Sequence, residues 1–300
     1  ATPFKTHLRA LGMDHYLPLA PELSLKRLLV GGLTRVVEVN RNFRNEGVDK
    51  SHNPEFTMLE LYHAFGNYHV VMEVTEYVIR AAARTACEMR TTEDGIDADT
   101  LTIPFDGNPV HYAEAFDRVT YAELFERALG FATTDTDKVM AAAKQHNIKT
   151  TNDAGEPLDP LLVVNELFED VAEKSLDPAK PTWIMDYPAA LSPLTRPKLD
   201  DSTIAERADL FIGGMEIGPH YTELNDPDVQ EAKFREQLAG IDSEEQTFRT
   251  FDDDFIRALK VGMPPAGGMG LGIDRLVMLL ADQRSIRDVL LFPFMRPEQG

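Results

Sequence analysis

Two neighbouring stretches of alternating side chains constrain the fold of this chain most strongly. Residues 35–44 and 55–65 both alternate between apolar and polar positions, which is typical of β-strands. The segment 47–53 between them is rich in residues that form turns. Successive side chains point to opposite faces of a strand, so the sequence predicts an antiparallel hairpin in which each strand has one mostly apolar face.

The opposite face of this hairpin combines polar and aromatic side chains. Its members are Glu38, Asn40, Asn42, Arg44 and Glu46 on the first strand, and Phe56, Met58, Glu60 and Tyr62 on the second. A face turned to water is the ordinary explanation for such a strand. Water does not favour Phe56 or Met58, however, and the mixture favours a partly enclosed ligand site. There Phe56 could stack on a base, and Arg44 could hold a carboxylate or phosphate with its planar guanidinium. Glu60 and Tyr62 could receive an amine.

Composition limits the class of protein. The 300 residues include 30 Lys and Arg against 50 Asp and Glu, with 43% hydrophobic residues, which is typical of a soluble globular chain. Apolar runs are far shorter than the roughly 20 residues that span a bilayer, and no leader is apparent, so we expect a cytoplasmic protein without membrane contact. The single cysteine, Cys87, excludes an internal disulfide framework. The net charge of −20 argues against a chain that coats nucleic acid.

The remaining pattern predicts an α+β fold, with an antiparallel β-sheet flanked by helices. Helical spacing occurs at 69–90, 121–129, 137–146, 161–176, 226–238 and 274–281, the last capped by Asp274. Strands are expected at 181–187 and 267–273, and a hairpin at 210–217 that turns at Gly213 and Gly214. We expect residues 1–105 and 182–300 to form one core, with 106–181 as a helical insert.

The 210–217 hairpin brings two acids together. With Gly213 and Gly214 as the turn, Glu216 lies opposite Phe211, and Asp209 lies one diagonal step away, with roughly 7–8 Å between backbones. Two carboxylates at that separation can share a magnesium ion. Two solvated acids on an exposed hairpin are the alternative at this point. Glu223, taken alone, would be a surface acid or a helix-start residue.

A glycine-rich run at 267–275 predicts a crowded strand face. Gly268, Gly270 and Gly272 share one face, and because glycine weakens a strand, a ligand or another backbone must come close there. Arg275 follows in the first turn of the next helix, where the backbone favours anions. The run therefore suggests a nucleotide platform, with a glycine-lined packing contact as the alternative. Its spacing is not that of a dinucleotide-binding fingerprint.

Several of these segments resemble the signature motifs of class II aminoacyl-tRNA synthetases. Residues 43–47 (Phe-Arg-Asn-Glu-Gly) and 52–62 (His-Asn-Pro-Glu-Phe-Thr-Met-Leu-Glu-Leu-Tyr) resemble motif 2 in its lysyl form, and 270–275 (Gly-Leu-Gly-Ile-Asp-Arg) resembles motif 3. Residues 20–23 and 223–226 also match the lysyl pattern. The aspartyl and asparaginyl enzymes lack the 60–62 ending in this form. The resemblance runs from residue 3 to residue 297 and is loose only in the insert.

The resemblance implies a lysine–tRNA ligase with ATP, L-lysine and tRNA(Lys) as ligands. The implied ATP-binding residues are Arg44, Glu46, His52, Phe56, Gly272 and Arg275, of which Arg44 and Arg275 would be catalytic. The implied lysine-binding residues are Glu22, Arg44, Glu60, Tyr62, Tyr221 and Glu223. In this scheme Glu22 receives the α-amino group and Glu223 the ε-ammonium. Asp209 and Glu216 would bind Mg²⁺, although the family more often has Glu at position 209.

Two departures from the family pattern bear on this expectation. Motif 1, which forms the dimer interface of the class, and the anticodon-binding barrel have no counterpart in the sequence. We therefore expect a fragment of a longer homodimeric protein. In addition, Gly-Pro-His-Tyr at 218–221 replaces the more usual Gly-Asn-Gly-Phe. The Asn lost at Pro219 normally lies by the amino-acid pocket, so a lysine analogue is an alternative substrate.

Two other functions stay open. One is a stand-alone paralogue that attaches a lysine-like amino acid to a protein lysine, as the ligase that modifies elongation factor P does. Its motif 2 usually has Glu where this chain has Gly47. The other is a non-catalytic synthetase-like binding protein. The charged residues Arg44, Arg275, Asp209 and Glu216, all retained, argue against it.

Overall fold

The computed structural model describes residues 2–90, 95–152, 154–239 and 252–295. Its strands are β1 (Lys5–Leu8), β2 (Met13–Tyr16), β3 (Arg35–Phe43), β4 (Glu55–Ala64), β5 (Thr102–Phe105), β6 (Asn108–His111), β7 (Asp117–Thr120), β8 (Thr182–Met185), β9 (Arg207–Ile212), β10 (Met215–Thr222) and β11 (Ala266–Gly272). Its α-helices are α1 (Glu22–Val30), α2 (Tyr68–Met89), α3 (Tyr121–Leu129), α4 (Thr136–Gln145), α5 (Pro160–Leu167), α6 (Pro227–Ala239), α7 (Asp253–Gly262) and α8 (Ile273–Leu280).

A mostly antiparallel sheet forms the centre of the fold. Among the described residues its strands follow the order β3-β4-β11-β10-β9-β8-β7, and only the β7–β8 pair is parallel. Helix α2 packs over β11, β10 and β4 and buries Val71, Met72 and Ile79 against the sheet. The fold is therefore α+β, with a sheet flanked by helices, as predicted. No helix in the described ranges has the length and apolar character that a bilayer crossing requires.

The β3–β4 hairpin has the predicted distribution of side chains between its two faces. Glu38 pairs with Glu60 and Asn42 with Phe56, so the polar and aromatic side chains share one face. The apolar face is partly buried on β4 but largely exposed on β3. On β4 it packs against the main core, but on β3 Val37 is 60% exposed. The reason is that β3 lies at the edge of the sheet, beyond the strands that α2 covers.

The second hairpin turns where the glycines predict it. Gly213 and Gly214 have φ angles of 61° and 76° and connect β9 to β10. Positive φ at both central residues matches the tight turn that suits the right-handed twist of a hairpin. Glu216 lies opposite Phe211 as expected, but a register shift between Glu216 and Gly218 follows.

The segment 106–181 is not purely helical, in contrast to the sequence prediction. Helices α3, α4 and α5 share a core of their own, to which Leu124, Val139 and Leu167 contribute. Strands β6 and β7 also belong to this segment, and β7 extends the central sheet beside β8. The division of the chain into a core and an insert stays a prediction.

The last helix begins one residue earlier than predicted, and this changes the role of Asp274. The cap position is Gly272, so Asp274 already lies within the first turn of α8. Its Oδ2 accepts a hydrogen bond from the backbone N–H of Thr57 at 2.6 Å. Asp274 therefore ties the helix to β4 and does not cap it. Residues 296–297, at the end of the family resemblance, lie outside the described residues.

Candidate active site

A cavity of about 380 Å³ lies between the β3–β4 connection, β10 and the start of α8. Both predicted arginines, Arg44 and Arg275, line it. The other predicted residues on its wall are Glu46, His52, Phe56, Glu216, Tyr221 and Gly272. This volume is in the usual range for small-ligand sites, and the two arginines that line the cavity make it suited to an anion.

Arg275 is held in place by contacts to two other elements. Its Nη1 donates to the backbone oxygen of Glu216 at 2.6 Å, and its Nη2 lies 3.0 Å from Nε2 of His52. Arginine can only donate, so Nε2 of His52 must accept, and Nδ1 then donates to Asp49 at 2.8 Å. Burial alone would raise the pKa of Asp49, but hydrogen bonds from Ser51 and His52 outweigh this and lower it.

Arg44 lies beside the ring of Phe56. The guanidinium carbon is 5.1 Å from the ring centroid, which is a cation–π distance. The Nε atom of Arg44 is buried and has no hydrogen-bond partner among the described residues. An unpaired donor at the wall of a cavity is costly unless a ligand or water completes it. Arg44 is thus equipped to receive an acceptor from the cavity.

Four predicted lysine-binding residues do not line this cavity and form a buried cluster behind it. Glu22, Glu60 and Glu223 are here called the carboxylate cluster, and the first and last of them contact the ammonium of Lys26. The Lys26 Nζ atom lies 2.6 Å from Oε1 of Glu22 and 2.5 Å from Oε2 of Glu223. Tyr62 donates its hydroxyl to Oε2 of Glu60 at 2.9 Å. Lys26 is fully buried, and Glu223 is 1% exposed.

Electrostatics link the cluster to the cavity. Burial and the nearby Glu22 raise the pKa of Glu60 to about 7, against the lowering effects of Tyr62, Lys26 and Arg44. Burial also raises the pKa of Glu223, and the Lys26 ammonium opposes this rise. Burial alone would lower the pKa of Lys26, but Glu22 and Glu223 outweigh it and raise the pKa. When its three carboxylates are ionised, the cluster carries more negative than positive charge.

The glycine face of β11 is crowded by neighbouring parts of the protein itself. A Cβ atom at Gly268 would lie 1.9 Å from Oε1 of Glu223 and 2.6 Å from the ring of Tyr62. A Cβ atom at Gly270 would lie 2.8 Å from the end of Met58. At these two glycines the sequence predicted a ligand or another backbone, whereas side chains of the protein come close there, as in the packing alternative. Gly272 alone of the three faces the cavity.

The two predicted metal ligands have different surroundings. Glu216 lines the cavity, whereas Asp209 is 2% exposed and binds Arg207, with 2.5 Å between Oδ2 and Nη2. Because of the register shift, Asp209 pairs with Pro219 on β10. Burial and Asp209 raise the pKa of Glu216, while Arg275, Arg207 and Arg44 oppose the rise. The alternative of two solvated acids is wrong. Within the described ranges, no three His, Cys, Asp or Glu side chains converge as a metal site.

Positions 219 and 220, where the chain departs from the usual family pattern, face opposite sides of β10. Pro219 lines the cavity. His220 is buried on the other side, with Nε2 2.6 Å from the Thr75 hydroxyl and its ring edge-on to Trp183. Burial lowers the pKa of His220 to about 3, although hydrogen bonds to backbone groups of Gly218 and Ala208 oppose this. His220 is thus a neutral core residue.

Sequence reasoning missed Lys26 and Arg207. The only local signal for Lys26 is its position four residues after Glu22 on α1, which more often marks a weak surface ion pair. Arg207 lies two residues before Asp209 and so on the same strand face, which fits its contact but does not show that either is buried.

Comparisons with known proteins agree with these observations. The family model of class II tRNA synthetases (D, K and N) matches residues 1–296. Among curated proteins, the lysine–tRNA ligase of Xanthomonas oryzae pv. oryzae is 45% identical over 302 residues, which cover 99% of this chain and 56% of the relative. That of Laribacter hongkongensis is 46% identical over 304 residues, covering 99% and 57%. That of Carboxydothermus hydrogenoformans is 44% identical over 301 residues, covering 99% and 58%. The chain therefore spans less than two thirds of the length of these relatives.

Proposed function

Because the chain belongs to the class II tRNA synthetases of the D, K and N group, we propose that it is the catalytic part of a lysine–tRNA ligase. Such an enzyme activates L-lysine with ATP and transfers the lysyl group to tRNA(Lys). The carboxylate cluster is the observation that favours lysine over the other amino-acid substrates of this family. Three glutamates, of which Glu60 and Glu223 are buried, with one internal ammonium leave an excess of negative charge when they are ionised, which suits a cationic substrate side chain. Aspartate, the acidic substrate of the aspartyl enzymes in this family, would be repelled there.

The amino acid would lie between the two parts of the site. Its carboxylate would pair with Arg44, its α-amino group with Glu22, and its ε-ammonium with Glu223, assisted by Glu60 and Tyr62. Tyr221, on the cavity wall, would cover the aliphatic part of the substrate. In support, Oε1 of Glu223 is buried without a hydrogen-bond partner among the described residues, and a ligand ammonium would satisfy it.

ATP would occupy the 380 Å³ cavity. Phe56 would stack on the adenine, and Glu46 and His52 would hold the adenine end and the phosphates. Arg275 would pair with the γ-phosphate, and Gly272 would leave space for the nucleotide. The N-terminus of α8, next to Arg275, adds partial positive charge that also favours a phosphate group.

Mg²⁺ would be held by Glu216 and Asp209 together with the phosphates. The carboxylate donor set suits this hard cation, whose charge would offset the negative charge of the two side chains. The ion would neutralise phosphate charge. Arg207 would fix the orientation of Asp209 through its close contact.

The reaction would proceed by positioning and charge neutralisation. The lysine carboxylate is already an anion at neutral pH, so no general base is required. One of its oxygens attacks the α-phosphorus in line, and pyrophosphate leaves with the electron pair of the broken P–O bond. Arg44 contacts both reacting groups and stabilises the charge that develops between them. A ribose hydroxyl of the tRNA end then attacks the lysyl carbonyl and displaces AMP.

The partners of the whole protein follow from the same proposal. They are tRNA(Lys) as acceptor and a second copy of the chain in a homodimer, with the cytoplasm as the compartment. Within the ranges that the structure describes, no specific contact favours a protein acceptor or a purely regulatory role.

ATP–pyrophosphate exchange tests the proposal. The protein is incubated with ATP, labelled pyrophosphate and either lysine, aspartate or asparagine. Exchange that depends on lysine alone is expected. Exchange with aspartate or asparagine, or with none of the three, contradicts the proposal. Supplying tRNA or elongation factor P as acceptor then distinguishes the ligase from the protein-modifying paralogue.

A further inference from the structure

The ammonium of Lys26 occupies the centre of the carboxylate cluster. It bridges Oε1 of Glu22 and Oε2 of Glu223 at 2.6 and 2.5 Å, and it lies 6.0 Å from the ring centroid of Tyr62. One internal cation therefore connects the two glutamates that the proposed function assigns to the two ends of the substrate. None of the roles described so far includes Lys26.

Lys26 cannot leave this position without moving its helix. On either side of it in the sequence, Leu25 and Leu29 of α1 are buried in a hydrophobic cluster with Phe255 and Leu259 of α7. The Lys26 side chain itself is 0% exposed. Withdrawal of the ammonium to solvent would expose apolar surface and leave Glu223 buried and unpaired. Lys26 is thus a fixed component of the pocket.

The bridging geometry uses only one oxygen of each glutamate. Oε1 of Glu223 has no hydrogen-bond partner among the described residues. It lies beside Gly268, in the space that a Cβ atom would otherwise occupy. The ion pair of Glu22 with Lys26 uses its Oε1, and Glu22 remains 19% exposed. Each glutamate therefore retains an oxygen that can bind another cation.

The charges of the cluster point to the ligand. Three carboxylates and the Lys26 ammonium leave two negative charges when Glu60 and Glu223 are both ionised. A free diamino acid carries two ammonium groups, and Arg44 compensates its carboxylate. Without Lys26 a third negative charge would remain buried, which protonation of a glutamate would have to remove.

We propose that Lys26 is a positioning residue for the amino-acid substrate: it bridges Glu22 and Glu223, so that each keeps one oxygen for a substrate ammonium, and it matches the pocket charge to a diamino acid. This inference rests on the proposed function and adds to it a residue that contacts the binding groups and not the reacting atoms.

The test compares Lys26→Met with the wild-type protein in ATP–pyrophosphate exchange. Loss of a buried charged partner is expected to raise the KM for lysine about tenfold or more at pH 7. The KM for ATP is expected to stay within about threefold, since the cavity residues are unchanged. Lys198→Met is the matched control, because Lys198 also forms an ion pair, 2.6 Å to Asp186, but lies outside the site. Its KM for lysine should equal that of the wild type.

The pH dependence separates a charge role from a packing role. The Lys26 ammonium lowers the pKa of both Glu60 and Glu223, and without it their protonation becomes easier. In Lys26→Met the KM for lysine is therefore expected to fall more steeply between pH 7 and 8.5 than in the wild type. Loss of packing alone would change the KM equally at every pH. Lys26→Gln, which keeps amide donors but no charge, should give the same KM rise and the same pH profile.

Each outcome decides a different claim. A wild-type KM for lysine in the folded Met or Gln variant overturns the role of Lys26, as does a raised KM with an unchanged pH profile. A wild-type protein that exchanges pyrophosphate with no lysine dependence overturns the proposed function, and with it the substrate role of Lys26.

Discussion

Arg275 donates a hydrogen bond through Nη2 to Nε2 of His52, 3.0 Å away. The contact joins the β3–β4 connection to the first turn of α8 and brings the two sequence motifs together. His52→Ala should therefore loosen Arg275 and raise the KM for ATP several-fold, while the KM for lysine stays near its wild-type value. Steady-state pyrophosphate exchange at varied ATP measures this.

A matched control exists for that variant. Arg35 makes the same kind of contact with His63, at 3.2 Å between Nε and Nε2, outside the cavity. His63→Ala should leave the KM for ATP unchanged. Equal effects of the two substitutions would contradict a nucleotide role for the Arg275–His52 contact.

Glu223→Gln should weaken lysine binding selectively. The substitution keeps the size of the side chain but removes the charge that faces the ε-ammonium, so we expect the KM for lysine to rise about tenfold or more. ATP binding should be largely intact. Glu206→Gln is the control, since Glu206 is another largely buried glutamate, paired with Arg196 at 2.8 Å. Equal losses of lysine and ATP binding in Glu223→Gln would argue against its assignment.

Lysine binding should strengthen as pH rises through neutrality. Burial and Glu22 raise the pKa of Glu60 to about 7, so in the empty pocket this carboxyl is mostly neutral at pH 6 and mostly ionised at pH 8. Only the ionised form attracts an ammonium. The KM for lysine should fall about tenfold or more over that range, because burial also raises the pKa of Glu223, to about 8, and its ionisation adds to that of Glu60. Glu60→Gln should make the profile shallower, and a flat profile in the wild type would refute the role of Glu60.

His220 should make the fold sensitive to acid. Burial lowers its pKa to about 3, so the unfolded chain binds a proton below about pH 6.5 that the folded protein does not bind. The resulting stability is complete above that pH and is lost as the pH falls toward 3. Between pH 7 and pH 4 the loss should be on the order of 3 kcal/mol.

Denaturant unfolding of His220→Gln at the two pH values isolates this contribution. The variant should lose less free energy of unfolding on acidification than the wild type does. His7→Gln, on the exposed strand β1, should behave as the wild type. Identical losses in His220→Gln and the wild type would show that His220 does not titrate as described.

Local patterns predicted the elements that build the cavity. Alternation defined β3 and β4 to within one residue, since period-two burial is encoded along each strand. The turn at Gly213 and Gly214 was predictable because both residues need positive φ. The same alternation correctly brought Arg44 and Phe56 to one face.

Features that depend on distant contacts could not be read from the sequence. Strand β7 has four residues, and its parallel partner β8 is far away in the chain. The exposure of Val37 reflects the edge position of β3. The sequence around Lys26 is typical of a surface lysine. Its burial depends on a contact with Glu223, almost two hundred residues later in the chain.

The most direct measurement is lysine-dependent ATP–pyrophosphate exchange by Arg44→Ala. Arg44 is the group that the proposal has touching both reacting partners, so its removal should lower the exchange rate by about 10²-fold or more. Arg257→Ala, at an exposed position of α7, should exchange at the wild-type rate. An Arg44→Ala protein that exchanges pyrophosphate as fast as this control would contradict the proposed active site.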